Sequence, residues 1–145
     1  MLCRDVMKFT VEYIGPKDSA RAAARRMRQA NVGFLPVCDP DGRVIGTLTD
    51  RDITVRLVAD GLQPDTPVAD VMTREAIFCS PDADIRRAHE LMGEHRKSRL
   101  LCCEDDGSLV GVISLSDIAA CHDADVAATT LRQITSREAR GCPRV

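Results

Sequence analysis

Aromatic side chains are nearly missing from this chain: no Trp, one Tyr and three Phe among 145 residues. A core must therefore be built from Ala, Val, Ile, Leu and Met, and the bases of single-stranded nucleic acid would find few rings to stack on. Charge of one sign is not in excess either, with Lys plus Arg at 20 and Asp plus Glu at 22, a net charge of −2. The electrostatic footprint of a nucleic-acid binder is lacking. No apolar run approaches the roughly 18 residues of a membrane span. The start, Met1-Leu2-Cys3-Arg4-Asp5-Val6-Met7-Lys8, mixes charges where a signal peptide carries an apolar stretch. These absences predict a cytoplasmic protein with neither nucleic acid nor membrane as partner.

Catalytic apparatus is also wanting. The sequence shows no G-x-S-x-G elbow, no Walker loop, no H-E-x-x-H and no dinucleotide-fold glycine run, so no enzyme is expected. The three histidines are unclustered, and His89, beside an apolar helix stripe, and His122, near a helix end, read as surface or boundary residues. Seven cysteines (Cys3, Cys38, Cys79, Cys102, Cys103, Cys121, Cys142) are scattered, odd in number and free of any C-x-x-C pair. Neither a disulfide framework nor a metal site is signalled, and most are expected to be small buried apolar residues.

What the chain does have is an internal copy of itself. Sliding it by 65 positions aligns residues 5–53 with 70–118 without a gap, with 14 identities in 49 positions. Asp5-Val6-Met7 falls on Asp70-Val71-Met72, Met27 on Met92, Asp41-Gly42 on Asp106-Gly107, Gly46 on Gly111, and Asp52-Ile53 on Asp117-Ile118. Turn glycines and core positions held in one register mark a tandem repeat.

Each copy reads β-α-β-β-α, an α+β fold. A short strand (Val11 to Ile14; Ala76 to Cys79) leads to a helix capped by Ser19 or Asp84, with apolar positions Ala20, Ala23, Ala24, Met27 and Ala30, or Ile85, Ala88, Leu91 and Met92. Two strands follow, Phe34 to Cys38 and Val44 to Leu48, or Leu100 to Cys103 and Leu109 to Ile113. They are joined by turns whose Gly42 or Gly107 supplies a positive φ. A last helix opens at Asp50 or Leu115. Such a unit is thin, so the two copies are expected to pack sheet to sheet about a pseudo-two-fold axis and share one core. Between them Gly61 stops a helix, and Thr66-Pro67 reads as an N-cap with Pro at the first position of a short helix through Asp70-Val71-Met72. The expected boundaries are 1–61 and 62–125, with 126–145 as a helical extension, Val126 to Ala139, ended by Gly141-Cys142-Pro143.

The third strand of each copy ends in a matched signature, Gly46-Thr47-Leu48-Thr49-Asp50-Arg51-Asp52-Ile53 and Gly111-Val112-Ile113-Ser114-Leu115-Ser116-Asp117-Ile118. A hydroxyl followed three residues later by an acid is a helix-capping arrangement, although Asp is shorter than the preferred Glu or Gln and should strain the reciprocal half of the box. The same geometry can instead bind a ligand. The hydroxyl and free amides of the helix start suit a phosphate, and the carboxylate suits both hydroxyls of a ribose. The sequence leaves both readings open.

With Asp-Val-Met opening each copy, Gly33-Phe34-Leu35-Pro36-Val37, the Asp-Gly turns and the doubled signature, the chain resembles a tandem CBS-domain pair, or Bateman module, over about residues 3–124. The Thr49-Asp50-Arg51-Asp52-Ile53 run is especially like the small stand-alone bacterial members. The resemblance implies a regulatory module that binds AMP, ADP, ATP, NAD or S-adenosylmethionine in clefts between the repeats. It also implies a homodimer that signals by conformational change to an effector protein the sequence does not identify. Carried over residue by residue, Asp52 and Asp117 would hold ribose hydroxyls, and Thr49 and Ser114 would meet phosphate. Thr10, Val11, Glu12, Phe34, Leu35 and Pro36 in one site, and Ala76, Ile77, Leu100 and Leu101 in the other, would sandwich adenine. Arg51 and Arg99 lie where basic residues neutralise phosphate, with Ser116 standing where the first copy has Arg51. The alternatives are a ligand-free structural or interaction protein whose signatures are only caps, and a redox or metal protein using Cys38, Cys102, Cys103 and neighbouring cysteines.

Overall fold

A computed structural model describes residues 1–121 and 124–136. The chain divides into two compact units. One comprises residues 11–76 with 106–109, and the other 1–10, 77–105 and the chain from 110 onward. The lead-in of each repeat thus belongs to the unit built by the other repeat.

In the unit of residues 11–76, Ser19 accepts the amide of Ala22 and starts helix α1, Ala20–Ala30. Its inward face is Ala20, Ala23 and Met27, while Ala24, expected on the apolar stripe, is exposed. The helix ends on Asn31 in the left-handed region, φ 53°, a conformation Asn tolerates better than most residues. Strand β1 (Phe34–Cys38) then pairs antiparallel with β2 (Val44–Thr49), placing Phe34 opposite Thr49 and Val37 opposite Gly46 before a bulge at Cys38. The strand expected over Val11 to Ile14 is not formed. Of that segment only Ile14 is buried, and it makes a single parallel bridge to Val37 before Gly15-Pro16 turns the chain. After β2 the chain enters helix α2, Asp50–Asp52, which widens at once into a π-helix over Ile53–Val58.

The other unit repeats this plan with its opening strand formed, though shortened to β3, Phe78–Cys79. β3 lies parallel to β4 (Arg99–Cys103), and β5 (Leu109–Ser114) completes a three-stranded sheet. Helix α3, Ile85–His95, is capped by Asp84 and ends on Arg96 at φ 55°, matching Asn31 at the same 65-residue offset. Helix α4, Leu115–Cys121, follows β5. Helix α5, Ala124–Thr135, packs on α3 and α4. It buries Ala127, Thr130 and Ile134 and leaves Val126 and Leu131 exposed. The expected continuation to Ala139 and the stop at Gly141-Cys142-Pro143 lie outside the described residues.

The lead-ins are held by duplicated bonds. Cys3 and Arg4 donate to the carbonyls of Ala83 and Pro81, and Val68 and Ala69 donate to those of Asp18 and Pro16. The short 3-10 helix of the linker covers Val68–Asp70 and is preceded by Pro67 as its N-cap. The Thr66 hydroxyl, expected to cap it, donates instead to the carbonyl of Gln63. Proline at the cap position has no side-chain acceptor to offer, so the backbone bonds of the linker do the holding.

Each unit has a buried cluster to which both repeats contribute. Cys3, Val6 and Met7 join Ile85, Met92 and Ile113 in one cluster, and Val68, Val71 and Met72 join Met27, Leu35 and Leu48 in the other. The exchanged lead-ins explain how so thin a unit closes a core, since each buried Val or Met contributes roughly 1.5–3 kcal/mol. Neither cluster contains an aromatic residue.

Candidate functional site

Thr49 leaves β2 extended, with φ −113° and ψ 162°, and its hydroxyl accepts the amide of Asp52 at 3.1 Å. In return the amide of Thr49 donates to Asp52 Oδ2 at 2.9 Å. The strain expected from the short Asp side chain is absent. The box closes at ordinary distances because the tight first turn brings residue three close to the cap. Ser114 and Asp117 repeat it, with the Ser114 amide on Asp117 Oδ2 at 2.9 Å and the Asp117 amide on Ser114 Oγ at 3.1 Å. The Ser114 hydroxyl donates its one proton to Asp117 Oδ2, so in its 2.8 Å contact with Ser116 it is the acceptor.

Both boxes are real caps, yet each takes only one carboxylate oxygen. Asp52 Oδ1 faces Arg56 at 3.8 Å, and Asp117 Oδ1 faces the ammonium of Lys8 at 3.0 Å. The two side chains are largely shielded, 15% and 16% exposed. Burial pushes the Asp117 carboxyl up, but bonds from the Ser114 hydroxyl and amide and from Lys8 outweigh it and hold the group below its ordinary value. Asp117 is therefore an anion at neutral pH. Capping and ligand binding are compatible uses of one carboxylate.

Other expected site residues are tied to these signatures unequally. Phe34, half-buried, sits across the ladder from Thr49, with Leu35 and Pro36 buried behind it. The start of each preceding strand is anchored to the signature, since Asp50 donates to the carbonyl of Gly33 and Leu115 to that of Ser98. Leu100 and Leu101 are buried, Arg99 is exposed, and the Leu101 amide donates to Ile77. Arg51 and Ser116 are exposed on the first helical turn. Val11 and Glu12 line a hollow with Tyr13, Arg26 and Gln29 that contains no signature residue. Thr10 is exposed at the end of its lead-in, and Ala76 is half-buried at the end of the other.

Sequence reasoning missed Lys8 and Arg56. Arg56 donates to the carbonyls of Val71 and Met72 and to Thr73 Oγ1, fastening the linker to its unit. The repeat carried a hint, because Lys8 and Thr73 are equivalent positions directly after the two Asp-Val-Met runs. His89, expected at the surface or boundary, is buried on α3, the helix that α5 packs against. His122 lies outside the described residues. Among the cysteines, Cys3, Cys38, Cys79, Cys102 and Cys103 are buried and Cys121 is exposed. One member of the expected redox set, Cys102, belongs to a group of close sulfurs with Cys79 and Cys3. Cys79 stands 3.6 Å from Cys3 and 3.8 Å from Cys102. Among the described residues no group of three or more His, Cys, Asp or Glu could hold a metal ion, and no helix is long and apolar enough to cross a membrane.

The CBS domain profile matches this chain twice, over residues 3–59 and 68–121. The chain belongs to the CBS-domain family. A CBS domain-containing protein of Bacillus subtilis is 38% identical over 116 residues, 80% of this chain and 81% of that protein. Among solved structures, Hypoxic Response Protein I with two coordinated zinc ions superposes with a TM-score of 0.77 at 32% identity, covering 85% of this chain and 100% of the other. A CBS domain protein from Pyrobaculum aerophilum complexed with AMP gives 0.76 at 22%, over 90% of this chain and 98% of that one. A CBS domain pair in complex with 5′-methylthioadenosine and S-adenosyl-L-methionine gives 0.73 at 23%, over 83% and 94%. The last two likenesses are of fold. This CBS-domain chain is a tandem pair with mixed helix and sheet in each unit.

Proposed function

We propose that this CBS pair is a regulatory module that binds an adenosine-containing ligand (AMP, ADP, ATP, NAD or S-adenosylmethionine) on its hydroxyl–aspartate signatures. Asp52 and Asp117 receive the ribose diol, and Thr49 and Ser114 lie beside the phosphate. The observation that carries this reading is the division of labour within each carboxylate. Oδ2 closes the cap, and Oδ1 is left for a second partner on a shielded side chain. A diol offers two donors to such an acceptor, and charge-assisted bonds of this type are about twice as strong as neutral ones. Complexes of similarly folded proteins with AMP and with S-adenosylmethionine support the ligand class. In this reading the protein acts as a homodimer whose arrangement responds to ligand, and an effector protein senses it, which requires unequal ligand affinity in the two arrangements.

The closed boxes also favour a second reading, in which the signatures are caps alone and the protein is a ligand-free interaction module. Thermal unfolding with each adenosyl compound separates the two. At a ligand concentration about 100 times Kd, the first reading expects about 2.7 kcal/mol of stabilisation. Asp52→Asn and Asp117→Asn, which keep an oxygen for the cap while removing the charge, should each reduce it. No shift with any of the five compounds leaves the ligand-free reading standing.

A further inference from the structure

The two signatures differ in what meets the carboxylate oxygen left over by the cap. At Asp52 the neighbour is Arg56, 3.8 Å away, whose guanidinium is already committed to Val71, Met72 and Thr73. At Asp117 it is the Lys8 ammonium at 3.0 Å, carried on a lead-in whose backbone pairs with Val112 in both directions, at 2.9 and 3.1 Å. Lys8 is 70% exposed and Asp117 only 16%, so an exposed ammonium reaches from solvent onto a shielded carboxylate while its own backbone is pinned. The equivalent position in the other unit is Thr73, which brings no charge.

We propose that Lys8 is a specificity-determining residue of the Asp117 site, selecting adenosyl ligands that carry a phosphate over neutral or cationic ones. This inference rests on the reading that Asp117 receives the ribose diol. A diol that takes Asp117 Oδ1 must displace Lys8 from its ion pair. A neutral thioether nucleoside gives the released ammonium nothing in exchange, and a sulfonium nucleoside adds a second cation beside it. A 5′-phosphate lies about one sugar ring from the diol, within the sweep of a lysine side chain, and offers a new anionic partner. Lys8 thus taxes every ligand equally on entry and repays only those with a phosphate. The Asp52 site, whose neighbouring cation is anchored elsewhere, makes no such exchange.

The test uses the whole chain with Asp52→Asn, so that the Asp117 site is read alone. Calorimetric titration with AMP, 5′-methylthioadenosine and S-adenosylmethionine is compared with and without Lys8→Met, and urea denaturation confirms that each variant is folded. The expected result is crossed. Lys8→Met lowers the AMP to methylthioadenosine affinity ratio by about tenfold, the low end for a charged hydrogen bond because Lys8 is exposed, by weakening AMP and tightening or leaving unchanged the other two ligands. Lys8→Arg should restore the preference for AMP. An AMP to methylthioadenosine affinity ratio that stays within twofold on Lys8→Met overturns the inference and leaves the ligand reading intact. The same holds if Asp52→Asn alone abolishes all binding that the unaltered protein shows. If the unaltered protein binds none of the three and none of ADP, ATP and NAD, the reading of function falls and the inference falls with it, whereas binding of ADP or ATP without AMP moves the same comparison to that nucleotide.

Discussion

Gly46 and Gly111 occupy the same place in the two repeats, and substituting each with alanine should cost different amounts for a reason visible in their surroundings. Both are buried in the strand where the signature begins, each facing the lead-in bound to its unit. A Cβ on Gly46 would sit 2.6 Å from the carbonyl oxygen of Thr73. That oxygen accepts the Thr47 amide at 2.8 Å, and the Thr73 amide returns a bond to Thr47 at 2.9 Å. Backbone must therefore move. An extra methyl in a filled site costs typically about 1–3 kcal/mol, opening the pair adds about 1 kcal/mol per bond, and the stiffer unfolded chain returns about 0.4–1 kcal/mol. About 2–5 kcal/mol remains. On Gly111 the nearest atom is Met7 Sδ at 2.6 Å, with the Lys8 carbonyl farther off at 3.1 Å. Methionine has three rotatable bonds and adapts, so Gly111→Ala should cost about 1 kcal/mol. Urea denaturation gives the two totals, and hydrogen exchange at the Thr47 amide reports the local event. A Gly111→Ala variant at least as destabilised as Gly46→Ala, or a Thr47 amide still fully protected in Gly46→Ala, would refute the reasoning.

Thiol modification should be sharply selective. Cys121 is exposed and should react in the native protein, whereas Cys79, pushed up to about 12 by the Cys102 thiol beside it and by burial, and Cys38, pushed up to about 11 chiefly by burial, should react only on unfolding. Peptide mapping after brief alkylation checks this, and rapid native labelling of Cys79 would contradict it. The acid limb of stability should carry the mark of Asp84, whose carboxyl the Arg86 side chain and amide hold down at about 2. Because the folded value lies below the unfolded one, this contribution is present above the ordinary carboxylate range near pH 4 and is lost as the pH falls toward 2. Asp84→Asn keeps the cap without the titration and should flatten that limb in denaturation measured from pH 6 to 2, an effect that shrinks with added salt because the group is exposed. An unchanged acid limb would show that the cap's charge is immaterial.

Much of this was readable from the residues alone, because duplication makes a sequence its own control. The 65-residue offset identified the paired helices, the hairpins with Gly42 and Gly107 at positive φ, and the two matched signatures. Helix starts were legible at Ser19 and Asp84, since a cap depends only on a side chain and amides two or three residues away. The first strand was not, because a strand is defined by what it pairs with, and Ile14 alone of its segment found a partner.

Sequence alone thus determined the family, the repeat and the hydroxyl–aspartate pairs, all of which follow from local spacing. Tertiary structure decided what no spacing contains. It assigned each lead-in to the unit of the other repeat and so gave each thin sheet a core of its own. It brought Lys8 to Asp117 across more than a hundred residues of chain. It also showed that the cap consumes one carboxylate oxygen and leaves the other. The physical reason is the same in each case: local bonds are written in neighbouring residues, whereas the partner of a carboxylate or a strand edge is chosen by the path of the whole chain.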